Sequence, residues 1–156
     1  MGTEIERKFL VTGQGWRADA VGVPYRQGYL SAAKGRTVRV RVADQQAYLT
    51  IKGARQGLSR AEFEYEIPVA DANYMLDVLC LQPLIEKTRW TLEYAGHIWE
   101  VDEFAGANAP LVVAEVELER EDQNVSLPEW VGEEVSTDYR YTNAYLAQNP
   151  YAFWPK

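Results

Sequence analysis

Apolar and polar side chains alternate at every second position along most of this chain. In Glu62-Phe63-Glu64-Tyr65-Glu66-Ile67, three carboxylates share one face and three large apolar groups share the other. Glu115-Val116-Glu117-Leu118-Glu119, Lys87-Thr88-Arg89-Trp90-Thr91-Leu92 and Arg36-Thr37-Val38-Arg39-Val40-Arg41-Val42 repeat the scheme, each with one sign of charge. A period of two belongs to a strand with two different faces. It predicts strands near 3–10, 25–30, 36–43, 46–53, 60–68, 86–95, 97–104 and 111–120. Tight turns are expected at Ala95-Gly96 and across Ala43–Gln46. Asp71 to Leu81 reads as a helix, with Asp71 as N-cap and Met75, Leu76, Val78 and Leu79 as its apolar face. A second helix is expected from about Asp138 to Gln148, stopping before Pro150. Gly15 to Val21 reads as a short helical turn.

The charged faces choose the fold class. One strand of this kind would suit a sheet with a solvated face. A solvated face, however, mixes Thr, Ser, Gln and Lys, whereas six strands here carry arginine or glutamate in same-sign columns. Like charges two residues apart on a face repel, so such columns are expected where opposite charge lies between them. The fold expected is mainly β: an eight-stranded antiparallel closed barrel with a few peripheral helices, its arginine and glutamate strands facing a common interior. Such a barrel has room for one small ligand. Its apolar outside needs a cover of helices or a partner subunit, which makes a homodimer an expectation. With no linker, repeat or low-complexity stretch, a single domain over 1–156 is expected.

Composition narrows the partners. The net charge of −7 in 156 residues opposes a general attraction to nucleic acid or an anionic membrane. An anion can therefore bind only where basic residues gather. The N-terminal Thr3-Glu4-Ile5-Glu6 has acids where a signal peptide has basic and then apolar residues, and a cytoplasmic location is expected. Cys80 is the single cysteine, which excludes an internal disulfide and a cysteine-based metal cluster; its run Val78-Leu79-Cys80-Leu81 predicts a buried thiol. The single histidine, His97, follows Gly96 at a predicted turn and reads as a surface residue, not a catalytic base. No Walker or Rossmann glycine pattern is present. Most tryptophans and tyrosines fall on apolar strand faces and read as packing on the outside of the barrel; Trp16, Trp130 and Trp154 lie outside the predicted strands.

The interior then holds two inventories. Lys8, Arg39, Arg41, Lys52, Lys87 and Arg89 are basic, with Arg60 and Arg140 less firmly placed; Glu4, Glu6, Glu62, Glu64, Glu100, Asp102, Glu115 and Glu117 are acidic. Converging arginines and lysines suit a polyanion such as phosphate. Clustered carboxylates without His or Cys suit a hard cation, Mg2+ or Mn2+ rather than zinc. Together they describe a cation-bridged polyphosphate site.

Glu4-Ile5-Glu6-Arg7-Lys8 resembles the E-x-E-x-K signature of the CYTH, or triphosphate tunnel metalloenzyme, superfamily. The order of the charged pairs along the rest of the chain carries the resemblance over roughly positions 3 to 146. Arg39-x-Arg41 comes first, then Lys52 ending the next strand, Glu62-x-Glu64, Lys87-x-Arg89 and Glu115-x-Glu117. The resemblance implies an eight-stranded tunnel that takes a triphosphate with a divalent cation. It implies that Lys8, Arg39, Arg41, Lys52, Lys87 and Arg89 bind phosphates. It gives Glu4, Glu6, Glu115 and Glu117 to the cation or the attacking water, and makes Glu4, Glu6, Lys8 and Lys87 the catalytic candidates. Glu62, Glu64 and Asp102 are second-rank candidates, and Tyr139-Arg140-Tyr141 is expected near one tunnel mouth. The Thr-Glu-Ile-Glu-Arg-Lys-Phe opening is similar to that of short bacterial tripolyphosphatases, so hydrolysis of inorganic tripolyphosphate is expected. Class IV adenylate cyclase, thiamine triphosphatase and a non-catalytic polyphosphate-binding module remain alternatives.

Overall fold

The computed structural model describes residues 2–155. Nine strands form one antiparallel sheet: β1 (Gly2–Val11), β2 (Val21–Ala33), β3 (Arg36–Ala43), β4 (Gln46–Gly53), β5 (Ser59–Ile67), β6 (Ile85–Tyr94), β7 (His97–Phe104), β8 (Val112–Glu117) and β9 (Val131–Glu134). They neighbour one another in the order β5-β4-β3-β2-β6-β7-β8-β1-β9, and a further β5–β1 pairing closes eight of them into the expected barrel. β1 makes this closure with two halves. Gly2–Ile5 pair with β5, Glu6–Leu10 with β8, and Phe9 and Val11 with β9 on the side that β5 has left.

The pleat explains the charge columns. Arg39 is opposite Thr50, Lys52 opposite Glu62, Arg89 opposite Asp102 and Lys8 opposite Glu115, so the alternating polar faces of separate segments point into one lumen. The Ala95-Gly96 turn has positive φ at both residues (50° and 82°), the backbone of a hairpin whose turn matches the strands' twist. Asp44 at φ 57° serves the β3–β4 turn.

Several elements differ from expectation. β2 is longer than 25–30, because its start pairs with β6 and its end with β3 as far as Ala33 opposite Arg36. Strand pairing on both sides, not local pattern, sets its length. The helix expected from Asp71 begins after Pro68 as α1 (Val69–Tyr74) and continues as one wide π-helical turn, Met75–Leu79. It buries Ala72 and Leu76 against Val40 and Ala47, and leaves Val78 and Leu79 exposed. The C-terminal helix is interrupted. Tyr139–Tyr141 form a 3-10 turn, Thr142 caps the next segment by accepting from Tyr145 N at 3.2 Å, and α2 spans Asn143–Gln148. Residues 17–19 form the short helical turn near the predicted position. β9 had no alternation to announce it.

The outer apolar face is covered largely by the chain itself. Phe9, Trp99, Val101 and Val116 pack beneath Trp16 and Trp130, which come from the segments before β2 and before β9. Trp99 meets Trp130 edge-on at 5.5 Å between ring centroids. Both loop tryptophans are therefore core residues. At one end of the barrel, Ala144, Leu146 and Ala147 of α2 pack on Tyr29, Ile85, Phe104 and Val113 and close part of the lumen. Cys80 is buried and free. Among the described residues no helix is long and apolar enough to cross a membrane.

Candidate active site

The lumen is a cavity of about 540 Å³. Of the residues expected to line it, Glu4, Glu6, Lys8, Arg39, Arg41, Lys52, Arg60, Glu62, Glu64, Arg89, Glu100, Glu115 and Glu117 do. Lys87 and Asp102 do not. Their side chains are held beneath the wall, Lys87 Nζ 2.7 Å from Asp102 Oδ2 and 3.2 Å from Asn143 Oδ1. Arg140 does not line the lumen either; it donates from Nε and Nη2 to Asp138, which stands at the cavity rim.

Three cations stand in the wall with donors to spare. Arg39 is 8% exposed, and its hydrogen bond to Thr50 Oγ1 is long at 3.4 Å. Nε of Arg39, of Arg41 and of Arg60 are buried with no partner. All three arginines line the cavity, and guanidinium groups gathered on one cavity define a place for an anion. Burial and the neighbouring Arg39 and Arg89 push the Arg41 pKa down, a direct sign of like charges held together. Asp102 takes Arg89 in a fork, accepting from Nε on Oδ1 at 2.7 Å and from Nη2 on Oδ2 at 2.8 Å. Despite burial, Arg89 and Lys87 hold Asp102 at about 2. Burial brings Lys87 down to about 7.

The carboxylates are concentrated along β1 and β8. Burial, then Glu115 and Glu4, push Glu6 well above the usual carboxyl range. Burial opposes charge on Glu115 too, but the charges of Lys8 and Arg89 keep it well below that range. Glu4 is held down, against its burial, by Lys52, which donates to both its oxygens at 3.1 and 2.9 Å. Among the described residues no three Asp, Glu, His or Cys side chains converge closely enough to hold a cation as they stand. The lysines occupy that role: Lys52 on Glu4, and Lys8 on Glu115 at 3.7 Å.

Sequence reasoning missed several lining residues. Thr37 and Thr50 share the parity of their charged neighbours and were legible; Tyr29 belongs with them. Lys34, Arg55, Tyr139 and Asn143 lie in turns or helical segments, where alternation says nothing.

Residues 2–149 match the family model of the CYTH domain. The chain belongs to this family. A relative from Acetivibrio thermocellus named inorganic triphosphatase is 51% identical over 97% of this CYTH chain and 97% of its own. One of the same name from Nitrosomonas europaea is 40% identical over 93% of this chain and 97% of its own. A crystal structure of an inorganic triphosphatase superposes on this CYTH barrel with a TM-score of 0.68 at 36% identity, covering 97% of this chain and 99% of that one.

Proposed function

We propose that this CYTH chain hydrolyses inorganic tripolyphosphate to pyrophosphate and phosphate with the help of Mg2+ or Mn2+. The observation that carries this reading is the gathering of Arg39, Arg41, Lys8, Lys52 and Arg89 with Glu4, Glu6, Glu115 and Glu117 around one cavity. Both triphosphatase relatives support it.

In this reading Arg39 and Arg41 grip the phosphate chain from one wall, and Lys8, Lys52 and Arg89 from the others. Arg89 is oriented by Asp102, so its remaining edge is fixed toward the lumen without loss of side-chain entropy on binding. Glu4, Glu6, Glu115 and Glu117 are all-oxygen donors, chemically fit for a hard cation. Such a cation would supply Lewis-acid neutralisation of charge on the phosphoryl oxygens. An anionic substrate that draws Lys8 and Lys52 toward itself frees Glu115 and Glu4 for this role. A glutamate of the same group takes the proton of the attacking water, and the lysines and arginines stabilise the leaving pyrophosphate.

The experiment is an assay of phosphate and cyclic-nucleotide release from tripolyphosphate, ATP and thiamine triphosphate, with each cation and with chelator. Release from tripolyphosphate well above the others, abolished by chelator and restored by Mg2+ or Mn2+, is expected. Cyclic AMP at a comparable rate would make the chain a cyclase. Tight binding without turnover would make it a polyphosphate-binding module.

A further inference from the structure

One end of the barrel brings three basic side chains to the cavity. The β2–β3 turn and the β4–β5 turn lie side by side at one end: Arg36 pairs with Gly53, and a Cβ on Gly35 would sit 3.5 Å from that of Ala54. This end presents Lys34, Arg55 and Arg60 to the cavity. Lys34 is exposed, its ammonium 4.8 Å from the centre of the Tyr139 ring. Arg55 is braced by donating to Glu6 O at 3.3 Å. Arg60 Nε is 3.9 Å from Glu4, which Lys52 already neutralises, and makes no hydrogen bond. Of the acids at this rim, Asp138 is taken up by Arg140 at 2.7 Å, and Glu121 accepts from Leu58 N and Ser59 Oγ at the β4–β5 turn. At the opposite end, the β3–β4 turn carries Asp44, and the ends of β5 and β6 on that side carry Glu66 and Glu93; all three are exposed.

We propose that Lys34, Arg55 and Arg60 form an entry subsite for the polyphosphate anion, so that the substrate enters the barrel from the β2–β3 and β4–β5 end. The physical need comes from the net charge of −7, which repels a polyanion at a distance. Salt screens that repulsion beyond roughly 8–10 Å, so local charge at the rim decides which end the anion reaches. A narrow cleft of one sign focuses the field and raises the on-rate. Arg60 then passes the anion from the rim to Lys52 and Arg39 deeper in the wall. The identity of the anion rests on the triphosphatase reading; the choice of end does not.

The test compares Lys34→Glu, at the basic rim, with Glu66→Gln, at the other end and outside the cavity lining. Tripolyphosphate binding is measured by calorimetry and kcat/KM by phosphate release, both at low and high salt. Lys34→Glu is expected to lower kcat/KM about tenfold at low salt and flatten its salt dependence, and to weaken calorimetric binding. Glu66→Gln should change kcat/KM less than twofold. An unchanged Lys34→Glu protein overturns the proposal, as does a Glu66→Gln gain as large as the Lys34→Glu loss, since only overall charge would then matter. A wild-type chain that binds tripolyphosphate without cleaving it defeats the hydrolase reading alone, and the calorimetric arm still decides the entry end. No binding by the wild type defeats both.

Discussion

Glu6 and Glu115 are two buried carboxyl groups on the neighbouring strands β1 and β8, and they titrate in opposite directions. Burial and the charges of Glu115 and Glu4 raise the Glu6 pKa, while Lys8 and Arg89 keep Glu115 ionised. Above the ordinary value of 4.5 the folded chain thus keeps a proton that the unfolded chain releases. Stability of the cation-free protein should fall as pH rises from 4.5 through the raised Glu6 pKa, by about 1.4 kcal/mol for each unit of the shift. Glu6→Gln should flatten that slope. Melting curves in chelator over this pH range are the check, and parallel curves for the two proteins would refute the raised Glu6 pKa.

Asp102 is the counter-charge for both Lys87 and Arg89, at 2.7 Å from each. Asp102→Asn leaves two cations facing each other in a buried setting. Loss of one partner from a buried pair costs about 3–5 kcal/mol. Urea unfolding should show a loss of that order. A loss below about 1 kcal/mol would mean that water reaches the pair.

Ligand binding should be visible in thermal stability. At one hundred times its Kd, tripolyphosphate stabilises by about 2.7 kcal/mol, which is a shift of several degrees for a chain of this size. Arg39→Ala should remove most of that shift while leaving the empty protein as stable or more so, because Arg39 adds to the repulsion at Arg41. An undiminished shift in Arg39→Ala would place the anion elsewhere.

Glu4→Gln is a test of the cation donors with little change in volume. It should lower turnover at least tenfold, raise the Mg2+ or Mn2+ concentration needed for half-maximal rate, and leave the circular dichroism spectrum unchanged. A normal cation requirement would remove Glu4 from the donor set. A companion melt is needed because Glu4 also neutralises Lys52.

Much of this architecture was legible in the chain because a strand's period of two is a local property. The parity of Arg39 and Arg41, of Glu62 and Glu64, and of Glu115 and Glu117 told which side chains share a face. Same-sign columns then told that the faces must meet. Parity carries no register, however. It placed Lys87 beside Arg89 on the inner face without revealing that Asp102 and Asn143 hold Lys87 beneath the cavity wall.

Closure decided the rest. The sequence by itself determined which residues point inward, the hairpin turns, and the sign of each strand. Only the tertiary structure decided that β1 divides its hydrogen bonds among β5, β8 and β9, and that Lys34 and Arg55 reach the lumen from turns. It also decided that Trp16 and Trp130 leave their loops to cover Trp99. These depend on tilt, register and long-range packing, which pair residues far apart in the chain and leave no periodic trace in it.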